Sequence, residues 1–229
     1  MKRHMKTILG LILVVALLCV GCSGSGNNAS PKNISELPEY KKLSALIGCS
    51  MEEVLTKMGW TAEELVEEEV CNYKTPLTVE YAGVSFRVWL AFNNLNEKMQ
   101  TFIYRAEYLN AEEAAAKEIT QVFQKLGDAL GREPEKVSSG IFERTEEQLR
   151  ESLEQKKLKQ EGARWNLNEA AEASHKDYIN DLKALENDWD IWERYEGQYT
   201  MEAMISHITE KDTVYLTLEL GIMMGNRSS

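Results

Sequence analysis

The chain has 229 residues, room for one or two domains. Its 43% hydrophobic and 28% charged residues are ordinary globular proportions, which excludes a disordered chain and a polytopic membrane protein. Asp plus Glu number 37 against 26 Lys plus Arg, a net charge of −11, so no positive field exists to hold nucleic acid and none is expected as a partner.

The first 22 residues carry the most specific signal. Lys2, Arg3 and Lys6 form a positive start, and residues 7–20 (TILGLILVVALLCV) form an apolar run. A short apolar core behind positive charge reads as a secretory signal. A spanning helix needs about 20 apolar residues, so a permanent transmembrane anchor is the weaker reading. The run ends in Val20, Gly21 and Cys22. This stretch resembles the lipobox of bacterial lipoproteins, which places a small residue directly before the modified cysteine. The departure lies three positions before Cys22, where the usual leucine is Cys19; Leu18 stands one residue further back. The resemblance implies cleavage of residues 1–21 and diacylglyceryl modification of Cys22. An ordinary signal peptide cleaved nearby, or a short uncleaved anchor, is the competing reading.

Residues 22–36 are expected to be a flexible tether, because 23–33 (SGSGNNASPKN) are small, polar and without apolar periodicity. Removal of the signal leaves 23 basic against 37 acidic residues, a net −14. Anionic headgroups repel such a body, so attachment must come from acyl chains and not from a basic patch. The lipid bilayer is thus the first expected partner, on the extracytoplasmic side of a bacterial cell membrane or outer membrane.

Outside the signal and Cys22, the cysteines are Cys49 and Cys71. In an oxidising compartment a disulfide between them is expected, closing a loop of roughly 20 residues for about 3 kcal/mol. Two separately buried thiols are the alternative. Neither cysteine has a nearby histidine, so a zinc site or a base-activated thiol is not expected.

Residues 37–47 read as a short helix or lead-in. Ser50-Met51-Glu52-Glu53 and Thr61-Ala62-Glu63-Glu64 both match the capping box, so a helical hairpin over about 51–58 and 62–70 is predicted, stapled by the cysteines. The Glu67-Glu68-Glu69 run would be its solvated face. Strands are predicted over 77–81, 84–92 and 98–108; in VSFRVWLAF, Val84, Phe86, Val88, Leu90 and Phe92 alternate with Ser85, Arg87, Trp89 and Ala91. A helix over 111–130 follows, capped by Asn110 and Glu113 and ended by Gly131, with Ala115, Ile119, Val122, Phe123, Leu126 and Leu130 on one face.

Pro134 and Ser138-Ser139-Gly140 mark a break. Residues 143–161 read as a solvated helix, 168–187 as another helix, and 189–195, 199–208 and 213–223 as strands. The fold class is therefore α+β, with antiparallel meanders packed against helices. Residues 37–131 and 132–229 make either two small helix-helix-three-strand units or one larger sheet covered by helices.

One further motif, Gly48-x-Ser50, Val54 and Met58-Gly59, resembles the helical start of small envelope lipoprotein domains, including those with a beta-lactamase-inhibitor-protein-like fold. A proline that often follows the motif is replaced by Trp60-Thr61. The resemblance implies a helix pair on an antiparallel sheet whose other face is free for protein contacts.

No phosphate-binding loop, hydrolase elbow or HExxH occurs, so no catalytic residue, metal site or cofactor is assigned. Asp188 and Asp190 read as flanks of a strand start, His175 as exposed and His207 as structural. Aromatic side chains offer anchoring area, and Trp89, Trp192 and Tyr195 are the candidate binding residues. Trp89 shares its strand face with Ser85 and Arg87, opposite the Val-Phe-Leu face, and so should lie away from the main core. The expected function is non-catalytic binding by an anchored lipoprotein, toward an envelope protein or another ligand. The alternatives are an envelope hydrolase acting through carboxylates and a solute-binding subunit of a transporter.

Overall fold

The computed structural model describes residues 34–131, 134, 136–137, 144–185, 195–208 and 211–226. Residues 1–21, Cys22, most of the tether, Asp188, Trp189, Asp190 and Trp192 lie outside them. Five α-helices are present among the described residues: α1 (Tyr40–Ser44), α2 (Met51–Met58), α3 (Glu112–Leu130), α4 (Glu146–Glu154) and α5 (Ala173–Leu185). The strands are β1 (Val66–Glu69), β2 (Asn72–Tyr81), β3 (Val84–Phe92), β4 (Met99–Leu109), β5 (Lys136–Val137), β6 (Gln160–Asn166), β7 (Tyr195–Ile208) and β8 (Thr213–Asn226). The protein is α+β.

All eight strands form one antiparallel sheet in the order β1-β2-β3-β4-β8-β7-β6-β5. Each half runs in chain order from its outer edge to the middle, and the last strand of each half pairs with the other at the β4–β8 seam. The architectural repeat is thus carried by strand order, and the two halves share a single sheet.

Period-two alternation sorts the side chains. On one face, Phe86, Val88, Leu90, Phe102, Tyr104, Leu218, Leu220, Met201 and Ile205 are buried and join one apolar cluster with Ile119, Val122, Phe123 and Leu126 of α3. Each such side chain contributes about 1.5–3 kcal/mol on leaving water. Leu149 and Leu153 of α4 and Tyr178 and Leu182 of α5 belong to the same cluster.

The α2 helix forms as its sequence dictates. Ser50 Oγ accepts the Glu53 amide at 3.3 Å, Glu53 Oε2 accepts the Ser50 amide at 2.7 Å, and Gly59 ends the helix at φ 68°. Hydrogen bonds from the Ser50 amide and then the Ser50 hydroxyl hold the Glu53 carboxyl below its ordinary value.

The expected helix over 62–70 is one 3₁₀ turn (Ala62–Glu64), although Glu64 Oε2 does accept the Thr61 amide at 2.7 Å. The chain then extends into β1, so the Glu67–Glu69 run is a fully exposed edge strand. A nine-residue helix is marginal without packing, and here Val66 and Val70 stay exposed with nothing to bury against, so pairing with β2 satisfies the backbone instead. Charged residues suit an edge strand because they oppose further pairing. The expected helix over 143–161 ends at Glu154; Lys156 takes φ 52°, and β6 buries Glu161, Ala163 and Trp165 in alternation. The helix expected over 168–187 is a 3₁₀ turn (Asn168–Ala170) followed by α5. Asn110 does not cap α3: it has φ 49°, its amide donates to Asp212 O, and Ala111 occupies the cap position without a side-chain bond.

Candidate functional site

The sheet face opposite the helices carries a continuous row of register partners. Val66, Lys74, Trp89, Ile103, Glu219, Glu202 and Arg164 face one another in turn from β1 to β6. Trp89 and Ile103 are buried but lie outside the main apolar cluster. Trp89 therefore occupies the non-core face, as the alternation in β3 requires. Its ring is only 5% exposed, because cations roof it. The Arg105 guanidinium lies 4.5 Å from the Trp89 ring centre and 5.8 Å from that of Tyr215, and the Lys74 ammonium lies 6.0 Å from Trp89. Such stacking uses the weakly hydrated guanidinium plane.

Arg87 and Arg105 are direct cross-strand partners, a like-charge arrangement that is unfavourable by itself. Arg87 Nη1 donates to Thr75 O at 3.2 Å and Pro76 O at 3.3 Å. Arg105 Nε is buried without a hydrogen-bond acceptor among the described residues. Beyond the seam the row turns acidic. Thr101 Oγ1 donates to Glu219 Oε1 at 2.8 Å, and Arg164 forms an ion pair with Glu202. Burial pushes the Glu219 carboxyl up, the Glu202 charge adds to this, and Thr101, Arg105 and Arg164 oppose it. The face is thus basic and aromatic on the β2–β4 side and carries a paired acidic centre on β7 and β8.

A second polar cluster is wholly internal. His175 is 0% exposed, correcting the expectation of an exposed histidine. Its Nδ1 accepts the Glu172 amide at 3.1 Å, so the ring proton resides on Nε2, which lies 3.1 Å from Ser44 O and 3.2 Å from Ser44 Oγ. Tyr40 and Tyr199 hydroxyls are 3.0 Å apart. This network joins α1, α5 and β7, and the Tyr40, Ser44, His175 and Tyr199 side chains in it are all buried, so it is a structural clasp.

At one end of the sheet Glu112, His207 and Asp212 bring an imidazole nitrogen and two carboxylate oxygens within 4.8 Å of one another. Sequence reading missed this cluster. His207 and Asp212 flank the β7–β8 turn, but Glu112 begins α3 in the other half of the chain, so no spacing betrays it.

The expected Cys49–Cys71 bridge is not formed; both are free thiols. Cys49 Sγ donates to Ala45 O at 3.7 Å and accepts from Lys57 Nζ at 3.0 Å. Cys71 sits in the β1–β2 turn at φ 61°, and the helical hairpin that a bridge would have stapled does not exist. Tyr195 opens β7 opposite Asn226, away from the Trp89 row. Among the described residues no helix is long and apolar enough to cross a membrane.

No protein family, no curated protein and no solved structure matches this chain.

Proposed function

We propose that the chain is a bacterial lipoprotein, held by acyl chains on Cys22 and exposing an extracytoplasmic domain that binds a partner without catalysis. The observation that carries this reading is Cys22 itself, set behind Val20-Gly21 and a positively headed apolar run. Two or more acyl chains give stable anchoring, which the −14 body could not achieve by charge.

The partner surface is the sheet face that bears Trp89, Arg105 and Tyr215. Its support is the separation of faces: the helices fill one side of the sheet, and the other carries mixed charge around partly covered aromatic rings. Arg and aromatic residues dominate the energetics of protein contacts, and displacement of the Lys74 and Arg105 side chains would uncover the Trp89 ring. The motif Gly48-x-Ser50, Val54 and Met58-Gly59 supports the same use of the sheet, through its resemblance to envelope lipoprotein domains. Glu202 and Glu219 would be the carboxylates for a hydrolytic reading, but Glu202 is committed to Arg164.

The test places a photoreactive amino acid at Arg87, exposed on this face, and at Glu113, exposed on α3. The expected result is one discrete crosslinked product from position 87 in intact cells, absent from position 113 and lost with Arg105→Ala. Equal products from both positions, or none from position 87, would contradict the assignment.

A further inference from the structure

We propose that Glu112, His207 and Asp212 form a binding site for a divalent cation of the zinc class. Three connections converge there: the β4–α3 junction, the β7–β8 turn and the segment between α4 and β6. The backbone fixes them to one another, since the Asn110 amide donates to Asp212 O at 3.1 Å and the His207 amide to Lys159 O at 2.9 Å. The ligand atoms therefore sit on anchored chain.

The decisive group is His207. Its side chain is 0% exposed, and among the described residues neither ring nitrogen has a hydrogen-bond partner. A buried polar ring left unpaired is costly, and buried polar groups are nearly always satisfied. Nε2 lies 3.7 Å from Asp212 Oδ1, too long for a hydrogen bond. It is close to the edge of a tetrahedron with metal–ligand bonds of about 2.0–2.1 Å, which is roughly 3.4 Å. A metal would thus occupy the gap that a direct bond does not close.

Ligand chemistry selects the class. Two carboxylates balance a doubly charged cation, and an imidazole nitrogen favours zinc, nickel or copper over magnesium and calcium. Three protein ligands leave a position for water. Lys156 Nζ now lies 2.8 Å from Asp212 Oδ1 and holds that carboxyl below its ordinary value. The ammonium is the site's built-in competitor: half-exposed on a flexible stem, it can swing aside when a metal arrives.

The test uses the full-length chain, purified in detergent and stripped with EDTA, titrated with Zn²⁺ by calorimetry. One equivalent should bind. Glu112→Gln and Asp212→Asn, which alter partly exposed positions and spare the core, should each weaken binding at least about tenfold. Lys156→Ala should tighten it severalfold. Co²⁺ in place of Zn²⁺ should show visible bands without thiolate charge transfer. Absence of stoichiometric binding, or binding unchanged in both ligand variants, would overturn the site. A thiolate signature would do the same, by moving the metal to Cys49 or Cys71.

Discussion

The imidazole of His175 lies stacked on the phenol ring of Tyr199, with centroids 4.5 Å apart and planes 25° from parallel. The contact joins α5 to β7, and through Ser44 it reaches α1, which is 131 residues away in sequence. Removing the ring leaves a cavity and strips the Glu172 amide and the Ser44 carbonyl of their partner. His175→Ala should therefore cost about 2–4 kcal/mol, and Tyr199→Phe, which keeps the ring and loses the hydroxyl, about 1 kcal/mol. Urea unfolding measures both. A His175→Ala midpoint equal to the parent's would show that the clasp carries no stability.

Glu219 makes stability depend on pH in a definite direction. Burial holds its carboxyl above the ordinary 4.5, so the folded chain binds that proton more tightly than the unfolded chain does. From about pH 4.5 upward folding then takes up a proton, and this contribution to stability falls as pH rises. Below that range both states are protonated and the difference vanishes. Glu219→Gln keeps an acceptor for Thr101 Oγ1 and removes the charge. It should raise the unfolding midpoint at pH 7 and leave it nearly unchanged at pH 4. A uniform shift at both values would assign the effect to packing.

The seam between the halves depends on Gly221, the register partner of Thr101. A Cβ there would stand 2.3 Å from Gln100 O and 2.6 Å from Thr101 Cα, and both are backbone atoms that cannot step aside. Gly221→Ala should push β4 and β8 apart and cost about 1–3 kcal/mol or more. Thermal unfolding would register the loss as a lower Tm; an unchanged Tm would mean that the strands do not approach so closely.

The two thiols should differ in reactivity. Cys71 is half-exposed in its turn, whereas Cys49 is buried and held between Ala45 O and Lys57 Nζ. Iodoacetamide on the native chain, without reductant, should alkylate Cys71 first and Cys49 slowly, as read by peptide mass. Protection of both until a reductant is added would reinstate the bridge and contradict the free thiols.

Strong local periodicity carried across into structure. Val84–Phe92 is a strand over the residues that its alternation marks, and the amphipathic face of Ala115 to Leu130 is the buried face of α3. The 62–70 segment departs from its helical pattern because a capping signal at Thr61 starts a turn, while Val66 and Val70 find no surface to bury against and the chain pairs with β2 instead. The β6 strand is hidden because its buried series, Glu161, Ala163 and Trp165, opens on a carboxylate that reads from sequence as an outward residue. The face that carries Trp89 was legible in β3 alone. Its roofing by Arg105 and Lys74 was not, because it arises from strand pairing. His175 read as exposed for the same reason: its partners, Ser44 and Tyr199, lie on distant elements. Glu112, His207 and Asp212 meet only once the seam has closed.

The anchor is the claim on which the rest of the function depends, and mass spectrometry of the amino-terminal peptide addresses it directly. The peptide recovered from the membrane fraction should begin at Cys22 and carry a thioether-linked diacylglyceryl group, and Cys22→Ser should leave the signal uncleaved and the peptide unlipidated. An amino terminus at any other residue, or an unmodified Cys22 in membrane-bound protein, would contradict the account.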